Sequence, residues 1–184
     1  MGKFAVLAGA VLIVAAGAVY CDEMERPAGF EFIVGPRVGV SWVVTSPEDF
    51  SETVSKLFPG TDYFPVYTLF GINFEQRILL GETNSHFAFQ ELVLVGGLEQ
   101  SVALPVAAFL IGYRAGKGFE FGIGPLANLA GVGVVAAIGW TLSFRGVFVP
   151  IDLSVILPNR ERPVGISFTT GFNFKVRRRL LNAF

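Results

Sequence analysis

GFEFIVGPRVGVSWVV, residues 29–44, alternates at period two from end to end. Phe30, Phe32, Val34, Pro36, Val38, Val40, Trp42 and Val44 are all apolar, and between them stand Gly29, Glu31, Ile33, Gly35, Arg37, Gly39, Ser41 and Val43, mostly small or charged. Successive side chains on a strand point to opposite faces, so this stretch has one oily face and one polar, glycine-lined face. A helix at 3.6 residues per turn does not sort the residues that way.

The same pattern recurs along the chain. Residues 65–80 set Val66, Thr68, Phe70, Ile72, Phe74, Ile78 and Leu80 against Tyr67, Gly71, Asn73, Glu75 and Arg77. A third strand is expected over 86–96, where Leu92 and Leu94 blur the later phase. Residues 101–113 are apolar on both faces, and periodicity alone leaves strand or helix open. GFEFGIGP at 118–125 then repeats the opening GFEFIVGP almost letter for letter. Alternation resumes over 132–144, 147–157 and 164–174, with turn-rich breaks between. The longest connection is 45–64, where Ser46, Pro47, Glu48 and Asp49 can open a short helix.

That gives about eight strands, each long enough for a tilted crossing of a bilayer, with no room for crossover helices. The predicted fold is all-β, an eight-stranded antiparallel up-and-down transmembrane barrel over residues 29–175; closure removes the free edges. Pro36, Pro105, Pro125 and Pro150 fall inside these strands, and bulges are expected beside the Gly-Pro pairs.

Composition bears on which face is outside. The 184 residues have a mean hydropathy of +0.59 and only 16% charged residues, against about a quarter in soluble domains. So little charge leaves a water-facing outer surface poorly solvated. If strands alternate up and down, Phe30, Phe32, Phe87, Phe89, Phe119, Phe121, Phe144, Phe172 and Phe174 gather at one end as an aromatic girdle, with Trp42 towards the other rim. Two rival readings are a soluble barrel with its oily face inward and a polytopic helical inner-membrane protein. The helical one rests on 101–113 and 124–140, and leaves 29–44 and 147–174 unexplained.

The termini add context. Met1, Gly2 and Lys3, an apolar run to Val14 and small residues at 16–18 read as a secretory signal peptide over 1–18. Residues 19–28 are a periplasmic connector, and 176–184 a basic tail. Cys21 is the only cysteine, and Tyr20 before it argues against lipidation. A net charge of −1 gives no electrostatic case for nucleic acid.

The signal peptide, the alternating strands, GFEFGIGP and the closing TTGFNF (169–174) resemble the small eight-stranded outer-membrane barrels of the OmpX/OmpW kind, with spirochaetal, especially treponemal, members the nearer match. The resemblance implies an outer-membrane setting in a diderm bacterium, contact with outer-membrane lipid, and an aromatic strand end, Phe174 or Phe184, offered to the outer-membrane assembly machinery. It implies binding or transport of small solutes, apolar ones among them. The alternative is a closed structural or surface barrel whose 45–64 loop meets an extracellular partner.

The chain carries no nucleophile elbow, phosphate loop or metal cluster, so no enzyme, cofactor or metal is expected. His86, the sole histidine, is expected at a solvated turn. By parity Glu31, Arg37, Glu75, Arg77, Glu120, Arg145, Asp152 and Lys175 face the lumen. Unpaired buried charge is costly, so they should pair: Glu31 with Arg77 or Lys175, and Glu120 with Arg145. Such a network either plugs the lumen or lines a narrow pore; the width of an eight-stranded interior favours the plug.

Overall fold

The computed structural model describes residues 29–58, 63–80, 85–158 and 163–176. The signal peptide, the 19–28 connector, Cys21 and nearly all of the basic tail lie outside the described residues.

The strands are β1 (Phe30–Val43), β2 (Val66–Leu79), β3 (His86–Gly96), β4 (Leu104–Arg114), β5 (Phe119–Asn128), β6 (Gly131–Phe144), β7 (Val147–Ile156), β8 (Gly165–Gly171) and β9 (Asn173–Lys175). From β1 to β8, each pairs antiparallel with its sequence neighbour. β8 and β9 return to β1, which closes the sheet. β9 continues β8 past Phe172, so the result is a closed eight-stranded up-and-down barrel. The segments 101–113 and 124–140, which a helical reading would need, are β4 and the β5–β6 hairpin.

The barrel has two unlike ends. One carries the longest connection with α1 (Pro47–Ser55), and is called the loop end. The other carries short turns, and is called the turn end.

Burial follows period two along the strands. In β1 the even positions Val38, Val40 and Trp42 stand in the open, while Ile33, Arg37 and Ser41 are buried. Phe121, Ile138, Trp140, Phe144, Leu153, Phe168, Phe172 and Phe174 likewise point outward. Phe87, Tyr113 and Phe121 are successive cross-strand partners with ring centroids about 6 Å apart, and Phe119 meets Trp140 edge-on at 6.3 Å.

The bulges expected at the prolines are absent. Register runs unbroken through Pro36 against β2, Pro105 against β3, and Pro125 and Pro150 against β6. Each proline costs a bond on one side only. Phe172 N–H donates to the Pro36 carbonyl at 3.3 Å, and the reciprocal bond is missing because proline has no N–H. That gap separates β8 from β9. The neighbouring Gly35 permits the close approach: a Cβ there would lie 2.7 Å from the Phe172 carbonyl carbon and 2.8 Å from the Asn173 Cα.

α1 follows from local sequence. Ser46 is its N-cap, with Oγ accepting from the Asp49 N–H at 3.1 Å, Pro47 stands at the first helical position, and Glu48 and Asp49 favour the positive helix end. The inner face of α1 packs on the barrel mouth. Phe50 stacks on Tyr67 with centroids 6.0 Å apart, and Val54 joins Tyr63 and Val102 in a small core. Gln100 pins the returning chain by accepting from Phe64 N–H at 2.7 Å and donating to the Val66 carbonyl at 2.9 Å.

Candidate binding site in the barrel lumen

The lumen divides into two chemically opposite halves. Towards the turn end it is ionic. Arg37 of β1 donates through Nη1 to Asp152 Oδ2 of β7 at 2.7 Å, with the Arg37 side chain fully buried. Glu75 of β2 is also fully buried; it accepts from Arg77 Nε at 2.5 Å and from Arg114 Nη2 at 2.6 Å. Arg114 reaches on to Glu120 as an ion pair, and its Nη1 donates to Thr141 Oγ1 at 2.8 Å, which donates in turn to Glu120 Oε1 at 3.1 Å. One carboxylate on β2 and one on β5 are therefore held through a single guanidinium on β4. Charge-assisted bonds of this kind are the strong ones and offset part of the cost of burying the charges, while Arg37 Nε and Nη2, Arg77 Nη2 and Arg114 Nε stay buried with no hydrogen-bond partner among the described residues.

Nearer the opening, Lys175 Nζ donates to Glu31 Oε1 at 2.5 Å. Glu31 is also the direct cross-strand partner of Arg77. Phe148 stands between the two cations, with Arg77 Cζ 4.5 Å and Lys175 Nζ 5.8 Å from its ring centre. A vestibule of about 720 Å³ opens here, lined by Glu31, Arg77, His86, Arg114, Phe148 and Lys175.

Towards the loop end the lumen is apolar. Ala108, Leu110, Leu126 and Val135 form one buried cluster, and Tyr67, Leu69 and Leu94 a second. A space of about 60 Å³ remains between them, room for a water or two. Above it, beneath α1, lies a cavity of about 200 Å³ walled by Phe50, Val54, Tyr67, Leu104, Val106 and Ile156. Tyr67, Val106 and Ile156 line both spaces, which are therefore neighbours. Polar contacts at its edge come from Thr45, Asp49 and Asn128. Shape and lining suit a small, mainly apolar molecule.

Two expected placements fail. Arg145 does not face the lumen and does not meet Glu120. It lies exposed in the two-residue β6–β7 turn with φ +48°, beside Gly146 at φ +88°. Both dihedrals are those of a type I′ hairpin turn, whose geometry aims residues away from the sheet, so strand parity does not extend to this position. His86 is not at a solvated turn. It begins β3, is buried, and holds Nε2 4.0 Å from Glu75 Oε1.

Arg114, the partner Glu120 does have, is not among the residues that parity sends to the lumen, because Ala115, Gly116 and Gly118 make the stretch from Arg114 read as a turn. Its signal was available: Ala108, Leu110 and Gly112 share one face, and Arg114 is the next residue on it. Among the described residues no three His, Cys, Asp or Glu side chains group as metal ligands do. No family model, curated protein or solved structure matches the chain.

Proposed function

We propose that this chain is an integral outer-membrane barrel of a diderm bacterium that binds a small apolar solute beneath α1. The observation that carries the reading is the reversed polarity of the wall. Phe144 is 62% exposed, Phe172 55% and Ile138 51%, while the Arg37–Asp152 and Arg77–Glu75–Arg114 pairs are buried inside. Water is a poor solvent for such an exterior and hydrocarbon a good one. The aromatic groups at the turn end suit a membrane interface, and the Phe174 end of the last strand suits recognition by the assembly machinery. Among the described residues no helix is long and apolar enough to cross a membrane. The resemblance to OmpX/OmpW-type barrels points the same way.

The solute belongs to the loop-end half because the ionic layer closes the other. On this reading the protein holds its solute and does not conduct ions. The test uses the full chain refolded into phosphatidylcholine vesicles. It should float with the vesicles, give a strand-type circular dichroism spectrum, migrate anomalously on a gel when unboiled, and brighten an apolar naphthylamine probe. Phe50→Ala, which removes the ring stacked on Tyr67, should weaken probe binding about tenfold while leaving flotation unchanged. A helical spectrum or a chain that stays in water rejects the membrane reading; a floating barrel that leaves the probe dark rejects the solute. Discrete current steps in a planar bilayer would reject the closed lumen.

A further inference from the structure

The outward faces of β1–β9 contain one carboxylate and no lysine or arginine: the carboxylate is Glu91. It is the sixth residue of β3, midway between the two ends of that strand. Its direct cross-strand neighbours are Phe74 on β2 and Phe109 on β4, and Phe89 on its own face packs against Phe109 with centroids 6.4 Å apart. These rings leave Glu91 only 7% exposed. Among the described residues it has neither a hydrogen-bond nor an ion-pair partner. Every other ionic side chain within the barrel strands faces the lumen or its openings.

A carboxyl half-way up a lipid-facing wall lies beyond the reach of water and headgroups, and hydrocarbon offers it nothing. No described residue of the chain donates to it there, so the donor it lacks would come from another membrane-embedded polypeptide. The chain itself presents one on the same face: Gln76 of β2, one step diagonally from Glu91, since Phe74 pairs with Glu91 and Gln76 with Phe89. A two-fold axis beside β3 would bring each Glu91 to Gln76 of the partner subunit, because an isologous contact satisfies both copies at once. The surrounding Ile72, Phe74, Phe89, Val93, Phe109 and Ile111 would supply an apolar patch around that polar centre.

We infer that the β2–β4 wall is a self-association surface, on which two copies of this chain dock within the membrane through Glu91. This rests on the membrane reading above. The test mixes donor- and acceptor-labelled full-length copies in phosphatidylcholine vesicles and follows energy transfer as lipid is added; flotation and circular dichroism are recorded on the same samples. Wild type should show transfer above random mixing. Glu91→Leu, which suits lipid, should weaken association about tenfold, while Glu91→Gln, which keeps an acceptor, should stay within about threefold. Leu153→Ala, on the far wall, should behave as wild type. Inserted, strand-rich protein that transfers only at the random level overturns the inference, as does Glu91→Leu matching wild type. If the chain does not insert, the membrane reading fails and the inference with it.

Discussion

Arg37 and Asp152 meet inside the lumen, Nη1 to Oδ2 at 2.7 Å, joining the first strand to the seventh over the inner face of the eighth. The Arg37 side chain has no exposure at all. Removing Asp152 leaves that charge buried and unpaired, so Asp152→Asn should cost about 3 kcal/mol of unfolding free energy in urea titrations of the lipid-refolded protein. Replacing both, as Arg37→Leu with Asp152→Leu, should cost less than the single change, since no stranded charge remains.

The β6–β7 turn gives a second expectation, with the opposite sign. Arg145 holds φ +48° with no side-chain partner among the described residues, and Gly146 holds +88°. Asparagine tolerates that region better than arginine, so Arg145→Asn should raise stability by about 0.5 kcal/mol. Gly146→Val should lower it by about 1–2 kcal/mol. Glu120 keeps its Arg114 partner in both, and thermal unfolding in detergent separates the two outcomes.

Inside the lumen, Gly139 and Ser143 lie on one strand yet differ in the space they leave. A Cβ on Gly139 would run into the Asp152 carboxylate and come within 2.5 Å of the Ile151 carbonyl, whereas Ser143 is exposed near the turn end. Gly139→Arg should therefore lose most of its refolding yield, and Ser143→Thr almost none. Equal yields would contradict the inward placement of this face.

Acid should loosen the loop end first near Glu99. Slight desolvation raises its pKa, but hydrogen bonds from the Thr68 side chain and N–H outweigh it and hold the carboxyl below its ordinary value. A group depressed in the folded state stabilises above its unfolded pKa, and that contribution is lost as pH falls through the folded value. Amide exchange at Thr68, whose N–H donates to Glu99 at 2.9 Å, should accelerate below the usual glutamate range. Thr68→Val should move that onset to higher pH.

Much of the barrel was legible because β1, β2, β6 and β7 each set an oily face against a polar one. β3 and β4 were harder for a physical reason. Their loop-end halves line the apolar part of the lumen, so Leu92 and Leu94, and Ala108 and Leu110, are inward and still hydrophobic. Contrast between faces then vanishes, and with it the phase that would have placed Glu91 outward and Arg114 inward. Arg145 failed for the converse reason, since parity was carried one residue past the strand into a turn. Lost donors at the prolines favour bulges, but in a closed sheet a one-residue slip flips every later side chain, and a missing bond is cheaper than that.

On the proposed reading, the division of the interior makes this vessel a cup, not a pipe. Its floor is three arginines clasped by three acids, and its rim is partly roofed by a nine-residue helix. A solute held under that roof, as proposed, would leave past the helix, because the way down runs through those ion pairs.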